Sequence, residues 1–216
     1  MYLYKDNFQY RDSDKVIIQE IFDRKCYYKL HVNDQDVVLD LGTNIGTFSL
    51  WCYEMGARTI VGYEPCKDNY NLAYKNVGTF AKVINKAVVG DDKETMELYT
   101  SSVNSGKSSS VATYRTEGTE TVACENINDV ISKYPFTCLK MDIEGGELDI
   151  LSNIGSFGSI SKMAIEYHNN IFKKAFGDNL YHLGDIIWKL EKRGFVIDFK
   201  YDHYQFIIFA DRSKND

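Results

Sequence analysis

One stretch, Val37 to Phe48, constrains the fold more than any other part of the chain. It reads VVLDLGTNIGTF, an apolar run interrupted by Asp40 and followed by two glycines, Gly42 and Gly46. A short apolar run of this kind is typical of a central parallel strand that is covered on both faces. The residues after Gly46 begin a predicted helix, and glycine lets the backbone approach a ligand closely. The stretch therefore predicts a strand, a turn and a helix N-terminus that form a site for a nucleotide-like ligand.

The spacing of the glycines distinguishes between two kinds of ligand. A dinucleotide-binding turn has a glycine where this chain has Asn44, because the backbone there contacts a pyrophosphate. The asparagine side chain would hold that group away. The spacing DxGxxxG instead suits S-adenosylmethionine (SAM), whose amino acid end carries a carboxylate and an ammonium group. We expect the carboxylate of Asp40 and backbone groups near Gly42, including Thr43, to bind it, with a plain structural turn as the alternative.

The second predicted strand, Arg58 to Tyr63, ends on an acid. Glu64 lies 22 residues after Gly42, the distance at which an acid at the tip of the second strand accepts hydrogen bonds from both ribose hydroxyls. A glutamate before a proline at a helix start is also favoured by the helix dipole. We prefer the ribose role for Glu64 because the residue type, its spacing and the strand end agree.

Two further segments are predicted to lie near the cofactor. The third strand, Ala81 to Ile84, ends where this topology places the adenine, so Asn85 and the backbone near Ala87 are predicted adenine contacts. Residues 100–110, TSSVNSGKSSS, form a polar stretch between two strand-like segments. We interpret this stretch as a mobile loop that closes over the site, with an ordinary flexible loop as an equal alternative.

The most acidic part of the chain follows the fourth parallel strand, Phe136 to Met141. The segment DIEGGE contains Asp142, Glu144 and Glu147. Attraction to a helix dipole explains Glu144 or Glu147. It does not explain Asp142, which lies at the carboxyl end of a strand, where open α/β sheets bind ligands. If the strand continued, its period of two would place Asp142 and Glu144 on one side.

The fifth strand, Met163 to His168, is predicted to lie beside the fourth. Glu166 and His168 share one face of it, so the two strand ends would present Asp142, Glu166 and His168 to one cleft. A histidine beside two acids is well placed to act as a base. We therefore predict His168 as the base, with Asp142, Glu144 and Glu166 as the other candidate catalytic residues.

Chain length and composition indicate one domain. The 216 residues, 44% of them hydrophobic, suffice for one sizeable α/β core. We predict a helical cap over residues 1–36 and a single domain over residues 37–216. The last two predicted strands, Phe195 to Phe199 and Gln205 to Phe209, form an antiparallel hairpin on an otherwise parallel sheet. Such an ending is unlike the two-fold repeat of a dinucleotide-binding fold.

Charge and cysteine content restrict the partners and the compartment. The net charge of −6 does not support a broad basic surface, so nucleic acid is not expected as a partner. The five cysteines show no metal-ligand spacing, and their odd number argues against a disulfide framework. We expect a reduced, cytoplasmic protein. No run of residues has the length and apolarity of a membrane span. The sequence does not decide between a monomer and an oligomer.

Five motifs, in this order, resemble the FkbM-type methyltransferases: VVLDLGTNIGTFSL, VGYEP, NKAVVG, LKMDIEGGELDIL and AIEYHNN. The resemblance covers most of Val37 to Asn170. It implies a class I SAM methyltransferase (Rossmann-like) fold, with a seven-stranded, mostly parallel sheet, a C-terminal antiparallel hairpin and helices on both faces. By that resemblance SAM would be bound by Asp40, Gly42, Asn44, Gly46 and Glu64.

The same resemblance implies O-methylation, commonly of a sugar hydroxyl in a natural product or glycan, with a deoxyhexose such as rhamnose as a plausible acceptor. The partner would then be a small molecule or a glycan. Some related sugar O-methyltransferases hold magnesium at the ends of the fourth and fifth strands, which would correspond to Asp142 and Glu166 here.

Other functions are compatible with these residues. A methyltransferase that acts on RNA or protein is the runner-up, and the net charge makes RNA the less favoured of the two. A nucleotide-binding oxidoreductase would share the fold, since Glu64 suits NAD as well as SAM. A non-catalytic SAM-binding module is a further alternative, but it would not account for three ionisable groups at adjacent strand ends.

Overall fold

The computed structural model describes residues 7–100, 118–168, 181–201 and 206–212. Its strands are β1 (Val37–Leu41), β2 (Thr59–Tyr63), β3 (Lys82–Ile84), β4 (Ala87–Val89), β5 (Thr95–Thr100), β6 (Gly118–Asn126), β7 (Cys138–Met141), β8 (Lys162–Glu166), β9 (Val196–Tyr201) and β10 (Phe206–Asp211). Its helices are α1 (Lys15–Ile18), α2 (Thr47–Glu54), α3 (Lys67–Val77), α4 (Ile127–Ser132), α5 (Glu147–Asn153) and α6 (Tyr181–Lys192). A 3-10 turn, Asp12–Asp14, precedes α1, and a π-helical turn, Gln19–Asp23, and a second 3-10 turn, Tyr28–Leu30, follow it.

Seven strands form one large sheet in the order β3-β2-β1-β7-β8-β10-β9. Strands β3, β2, β1, β7 and β8 run parallel to one another, and β10 pairs antiparallel with both β8 and β9. The predicted seven-stranded, mostly parallel sheet is therefore confirmed, as is the C-terminal antiparallel pair. Residues 202–205, between the two strands of that pair, lie outside the described residues.

Both faces of the large sheet are covered, because neighbouring residues of β1 point to opposite sides. Leu39 packs in a core cluster that also contains Ile150 of α5 and Ile186 of α6. Val38 packs in a second cluster with Phe48 of α2. This arrangement confirms the central covered strand and the helices on both faces.

A second, smaller sheet has the order β4-β6-β5. The two strand-like segments that flank the polar stretch 100–110 in the sequence are Glu94 to Tyr99 and Thr119 to Ala123; their pairing is not predicted by the sequence. In the structure β5 pairs antiparallel with β6, and β6 pairs parallel with β4. Leu98 and Val122 are buried between these strands. The small sheet follows directly on β3, so it lies beside the carboxyl edge of β2 and β3.

The segment before β1 packs into the core of the domain. Phe22, Tyr27 and Leu30 are buried in the same cluster as Val38 and Phe48. The helical cap over residues 1–36, with its boundary at residue 36, stays a prediction. No helix among the described residues is long and apolar enough to cross a membrane. None of the five cysteines, all of which lie among the described residues, forms a disulfide.

Candidate functional site

Four parallel strands end at one edge of the large sheet, and the predicted site residues follow their ends. β1 is followed by Gly42, β2 by Glu64 and β7 by Asp142, whereas β8 ends on Glu166. These strands are neighbours in the order β2-β1-β7-β8. The predicted neighbourhood of the fourth and fifth parallel strands is thus confirmed, and their ends lie side by side.

Two cavities lie along this edge. The first, with a volume of about 370 Å³, is lined by Glu64 and is called the Glu64 cavity here. The second, of about 340 Å³, is lined by His168 and is called the His168 cavity. Both are lined by Gly42, Asn44, Asp142 and Glu144. The shared lining makes the edge one site with two compartments.

Glu64 is held in the wall of its cavity by the backbone. Its Oε2 accepts a hydrogen bond from the Asn44 N–H at 2.8 Å, and its Oε1 accepts one from the Cys66 N–H at 3.0 Å. Burial raises the pKa of Glu64 to about 7, although these hydrogen bonds act to lower it. Met96 and Leu98 of the small sheet add an apolar part to the lining. The cavity thus offers a carboxylate and an apolar surface to one ligand.

The turn after β1 depends on glycine at one position. Gly42 has a φ of +78°, and a Cβ built on it would lie 1.9 Å from the carbonyl oxygen of Asp142. Only glycine therefore lets this turn lie against the backbone that follows β7. Asn44 also has a positive φ, 52°, a conformation that asparagine tolerates better than most residues. In this conformation the Asn44 N–H donates its hydrogen bond to Glu64.

Not every predicted cofactor residue lines a cavity. Thr43 lines the His168 cavity and Ala87 lines the Glu64 cavity. Asp40, Gly46 and Asn85 line neither. Gly46 lies against the Val77 side chain of α3, which a Cβ on Gly46 would approach to 3.0 Å.

The Asn85 amide acts on the loop that follows β2. It donates to the carbonyl oxygens of Glu64, at 2.9 Å, and Pro65, at 2.8 Å. Asn85 therefore supports the residue predicted to bind the ribose.

Lys140 of β7 is a buried cation that the sequence analysis missed. Its Nζ donates to the carbonyl oxygen of Gly42 at 2.7 Å and lies 3.5 Å from both Asp40 Oδ1 and Asp142 Oδ2. Burial alone would lower the pKa of Lys140, but the charges of Asp142 and Asp40, with others nearby, outweigh that effect and raise it. A lysine inside the apolar run FTCLKM was the available signal, because a buried lysine needs acidic partners.

Asp40 lies below the cavities, where it is fully buried. Its Oδ2 accepts a hydrogen bond from the Ser49 hydroxyl at 2.7 Å. Burial raises the pKa of Asp40, while the charge of Lys140 lowers it. Asp40 is placed to support Lys140 and α2, and it does not face either cavity.

Four carboxylates surround His168. Its Nδ1 lies 2.9 Å from Glu147 Oε1. Its Nε2 lies 3.5 Å from Glu144 Oε2, 3.7 Å from Asp142 Oδ1 and 3.8 Å from Glu166 Oε1. Burial alone would lower the pKa of His168, but the charges of Glu147 and Glu144, with that of Asp142, raise it well above its usual value. The surrounding carboxylates therefore favour the protonated form of His168. Burial, with the charge of Asp142, raises the pKa of Glu166 well above its usual value.

Glu147 is the second residue whose role the sequence analysis missed. It is fully buried at the start of α5, and its carboxylate accepts hydrogen bonds from the backbone N–H groups of Ile143 and Gly145. Attraction to the helix dipole was the predicted explanation for an acid at this position. The structure shows that Glu147 also holds the DIEGG turn, through the two backbone N–H groups, and the His168 ring, through its Nδ1.

Asp142 and Glu144 come together for a reason other than the strand period. β7 ends at Met141, so the period of two does not extend to them. Glu144 has a φ of 52° and Gly145 one of 112°, and this turn brings the Glu144 carboxylate next to His168. The predicted grouping is present, but a turn produces it.

Three residues of the cluster have the spacing of a metal site. Ligand atoms of Asp142, Glu144 and His168 all lie within 4.8 Å of one another. The predicted pair was Asp142 and Glu166, and Glu166 is a neighbour of this group through its contact with His168. Two carboxylates and one imidazole suit ions such as Mn²⁺, whereas Mg²⁺ favours oxygen ligands. The donor set fits a divalent cation when the His168 ring is neutral.

The segment before β1 lines the other side of the His168 cavity, with Ser13, Val16, Ile17, Glu20, Ile21, Cys26 and Tyr27. Tyr27 packs edge-on against Phe48, with ring centroids 5.0 Å apart. Its hydroxyl donates to Glu166 Oε2 at 3.4 Å. Tyr27 is thus both a packing residue and part of the acidic cluster. Residues 101–110 of the predicted mobile loop lie outside the described residues.

Comparisons with known proteins give a family match and several similar solved structures. The profile of the Methyltransferase FkbM domain matches residues 40–197. No curated protein matches the chain. Among solved structures, a fibrillarin from Aeropyrum pernix with natively bound S-adenosyl-L-methionine is 14% identical, with a TM-score of 0.50, over 91% of this chain and 74% of that chain.

Two further solved structures have similar overall scores. A SAM dependent methyltransferase from Aquifex aeolicus is 13% identical, with a TM-score of 0.48, over 93% of this chain and 98% of that one. A SAM-dependent O-methyltransferase from Thermotoga maritima is 11% identical, with a TM-score of 0.47, over 96% and 68% of the two chains. At such identities the solved structures are informative about the fold alone.

Proposed function

The chain belongs to the family of FkbM methyltransferase domains, and from this premise we propose that it methylates a hydroxyl group of a sugar. It is a SAM-dependent methyltransferase, and the proposal concerns the acceptor, a sugar of a glycan or a glycosylated natural product, with a deoxyhexose such as rhamnose as one candidate. The observation that carries the proposal is the pair of cavities that meet at Asp142. One has the carboxylate and apolar wall that an adenosine needs, and the other has an acidic and aromatic lining.

SAM would occupy the Glu64 cavity. Glu64 would accept hydrogen bonds from the ribose hydroxyls, and Met96 and Leu98 would contact the adenine. The methionine end would lie against the turn from Gly42 to Asn44, where the two cavities share their lining. Asp40 would act indirectly, through Lys140, which binds the carbonyl oxygen of Gly42.

We expect cofactor affinity to depend on pH through Glu64. Burial raises its pKa to about 7 in the ligand-free protein. In the ionised carboxylate both oxygens can accept hydrogen bonds from the ribose hydroxyls, whereas in the protonated form one oxygen carries the proton. Binding therefore favours the ionised form, so affinity for S-adenosylhomocysteine (SAH) should be constant above about pH 7.5 and fall about tenfold per pH unit well below the pKa. Calorimetric titrations between pH 5.5 and 8.5 measure this profile.

The control for this profile is Glu64→Gln. The amide cannot titrate, so this variant should bind SAH more weakly at pH 8 and lose the part of the pH dependence that Glu64 causes. An unchanged slope in Glu64→Gln would assign the pH dependence to other acids of the site and remove the support for the ribose role.

The charge of the His168 cavity supports a neutral acceptor. Glu20, Asp142, Glu144 and Glu166 line it together with two cations, Lys140 and His168. Such a lining repels phosphate groups, which argues against RNA and against phosphorylated sugars. Tyr27 and Phe48 also line the cavity; they are only 3% and 2% exposed, so they would give a sugar ring a small apolar contact rather than an open stacking face. A protein acceptor stays the second candidate.

In the proposed reaction the acceptor oxygen attacks the methyl carbon of SAM in line with the departing sulfur. The O–CH₃ bond forms as the S–CH₃ bond breaks, SAH is released, and the hydroxyl proton passes to a carboxylate. Alignment of the two substrates provides much of the acceleration, with effective molarities of about 10⁵ M or more for well-oriented groups. Gly42 and Asp142 line both cavities and would set this alignment.

We assign the proton to Asp142. The sequence analysis favoured His168 as the base, but the carboxylates around it favour its protonated form, and a protonated imidazole has no free lone pair to accept a proton. Asp142 lines both cavities and lies 3.5 Å from Lys140 Nζ and 3.7 Å from His168 Nε2. His168, fixed by Glu147, would then orient and balance the carboxylates, and Glu144 and Glu166 would complete the acidic wall.

A divalent cation would be held by Asp142, Glu144 and His168, with Glu166 beside them; because only a neutral imidazole binds a metal, the ion would displace the proton of His168, and it would lower the pKa of the acceptor hydroxyl. We expect EDTA to reduce methyl transfer if this group binds such an ion, and Mn²⁺ or Mg²⁺ to restore it. Glu144→Gln should weaken the restoring effect of the ion, because it removes one ligand charge. Full activity in EDTA, after dialysis against chelating resin, would show that the cluster works without a metal.

Methyl transfer from labelled SAM tests the proposed function. The acceptors are neutral deoxysugar glycosides, nucleotide sugars, RNA and peptides, after SAM binding is confirmed by thermal shift with NAD as the control. Label on a neutral glycoside is the expected result. Label only on RNA or peptide would replace the sugar proposal, and a thermal shift with NAD but not SAM would favour the oxidoreductase. Cytoplasmic location and an oligomer stay predictions.

A further inference from the structure

A chain of polar side chains connects the segment before β1 with Glu64. Arg11 Nε donates to Asp14 Oδ2 at 2.8 Å, and Arg11 Nη2 donates to Asn69 Oδ1 at 2.7 Å. Asn69, in the first turn of α3, lines the same cavity as Glu64, and hydrogen bonding by its side chain acts to lower the pKa of Glu64. Asp14 is fully buried and Asn69 is 2% exposed. One guanidinium thus bridges two buried polar groups that belong to different parts of the chain.

The two ends of this series of polar side chains lie at different cavities. Glu64 and Asn69 line the Glu64 cavity. Asp14 lies in the turn Asp12–Asp14, and Ser13, Val16 and Ile17, which are next to it in sequence, line the His168 cavity. The Arg11 backbone N–H also donates to Asp14 Oδ2, at 2.8 Å. Movement of Arg11 would therefore move the wall of the second cavity.

We propose that Arg11 is a positioning residue that couples cofactor binding at Glu64 to the ordering of the segment that lines the His168 cavity. The proposal rests on the proposed function in one respect, the binding of the SAM ribose by Glu64. Ribose hydroxyls fix the carboxylate, the carboxylate fixes the Asn69 amide, and the amide oxygen fixes the Arg11 guanidinium. The acceptor cavity would then be complete only after the cofactor is bound, which predicts ordered binding with SAM first.

The geometry favours coupling over simple anchorage. A second tether, between Gln9 and Asn76, already holds the segment on α3 through two hydrogen bonds of 2.8 and 2.9 Å. The Arg11 bridge differs from it because its partner on α3 contacts the ligand-binding carboxylate. Buried hydrogen bonds polarise one another, so a change at Glu64 is transmitted along the chain. Thermodynamic linkage makes the coupling reciprocal, so an ordered segment also favours the bound cofactor.

Hydrogen exchange of the wild-type chain, with and without SAH, measures the coupling without an acceptor. SAH should slow amide exchange in residues 12–30, at the far end of the bridge from Glu64. Arg11→Met breaks the bridge at its centre, and Asn69→Ala breaks it at α3. We expect both variants to lose most of the SAH-induced slowing in this segment and to bind SAH about five- to tenfold more weakly. Combining the two substitutions should add little, because both break the same bridge.

Arg24→Met is the matched control, since Arg24 lies in the same segment and its ion pair with Glu20, at 3.9 Å, is not part of the bridge between Asp14 and Asn69. It should keep the SAH-induced slowing. A residue with only a structural role would speed exchange in the free protein and leave the SAH-induced difference intact. Arg11→Lys keeps the positive charge but not the two-pronged guanidinium, so its SAH-induced slowing of exchange should lie between those of wild type and Arg11→Met. This variant also tests the proposal if Arg11→Met fails to fold.

Two failures can be told apart. If SAH does not bind the wild-type chain, the proposed function fails at its first step. If SAH binds and the slowing in residues 12–30 is absent, or is the same in wild type, Arg11→Met and Asn69→Ala, the coupling by Arg11 is overturned while the cofactor site stands.

Discussion

Replacing Asp142 by asparagine is expected to lower kcat by about 10²- to 10⁴-fold, the usual contribution of a positioned proton acceptor. Asparagine keeps the size of the side chain and one acceptor oxygen, so the turn at Gly42 and the cavities should persist. It cannot take up a proton at neutral pH. The loss in kcat should therefore exceed the loss in SAH affinity, and steady-state kinetics with the identified acceptor, beside calorimetry with SAH, measure the two.

Variants of the neighbouring residues give the comparison. Glu166→Gln and Glu144→Gln remove charges next to His168 without removing the proposed proton acceptor, so each should lower kcat less than Asp142→Asn. Asp129→Asn changes an acid in the first turn of α4, away from both cavities, and should leave kcat unchanged. If Glu166→Gln has the largest effect and Asp142→Asn is nearly as active as wild type, Glu166 is the proton acceptor and the assignment made here is wrong.

The part of the site that could be predicted from the sequence consists of residues at or directly after the ends of parallel strands. Parallel strands share an edge, so Glu64 after β2, Asp142 after β7 and Glu166 in β8 could be placed together without coordinates. Lys140 was not found, because its role depends on contacts with Asp40 and Gly42, which are about 100 residues away in the chain. A single sequence records that the lysine is unusual in an apolar strand, but not which partners satisfy it.

The roles within the acidic cluster also depend on three-dimensional contacts. The preference for His168 as base followed from its neighbours in two strands, and it omitted Glu147, which reaches the imidazole from the start of α5. The additional carboxylate changes the charge state of the ring. In the same way, periodicity identified β5 and β6 as strands but not their joint sheet with β4, because alternation indicates a strand and says nothing of its partner.

Replacing Lys140 by methionine is expected to lower the free energy of unfolding by about 3–5 kcal/mol, the usual effect of removing one partner of a buried ion pair. Methionine fills a similar volume, so the main loss is electrostatic. The fully buried Asp40 would keep only the Ser49 hydrogen bond, and the carbonyl oxygen of Gly42 would lose the donor at 2.7 Å. Urea unfolding measures the change in stability, and SAH titration measures the effect on the Gly42 turn.

Lys162→Met is the matched control for this substitution, because it breaks another largely buried pair elsewhere in the same sheet. Lys162 Nζ lies 2.6 Å from Asp36 Oδ2, at the amino ends of β8 and β1. Both variants should be destabilised, but only Lys140→Met should also bind SAH more weakly, since only Lys140 holds the turn at the carboxyl edge. Adding Asp40→Asn to Lys140→Met should recover part of the lost stability, because it removes the buried charge that the lysine balanced. If both single variants weaken SAH binding equally, general destabilisation explains the loss, and Lys140 has no specific part in shaping the cofactor site.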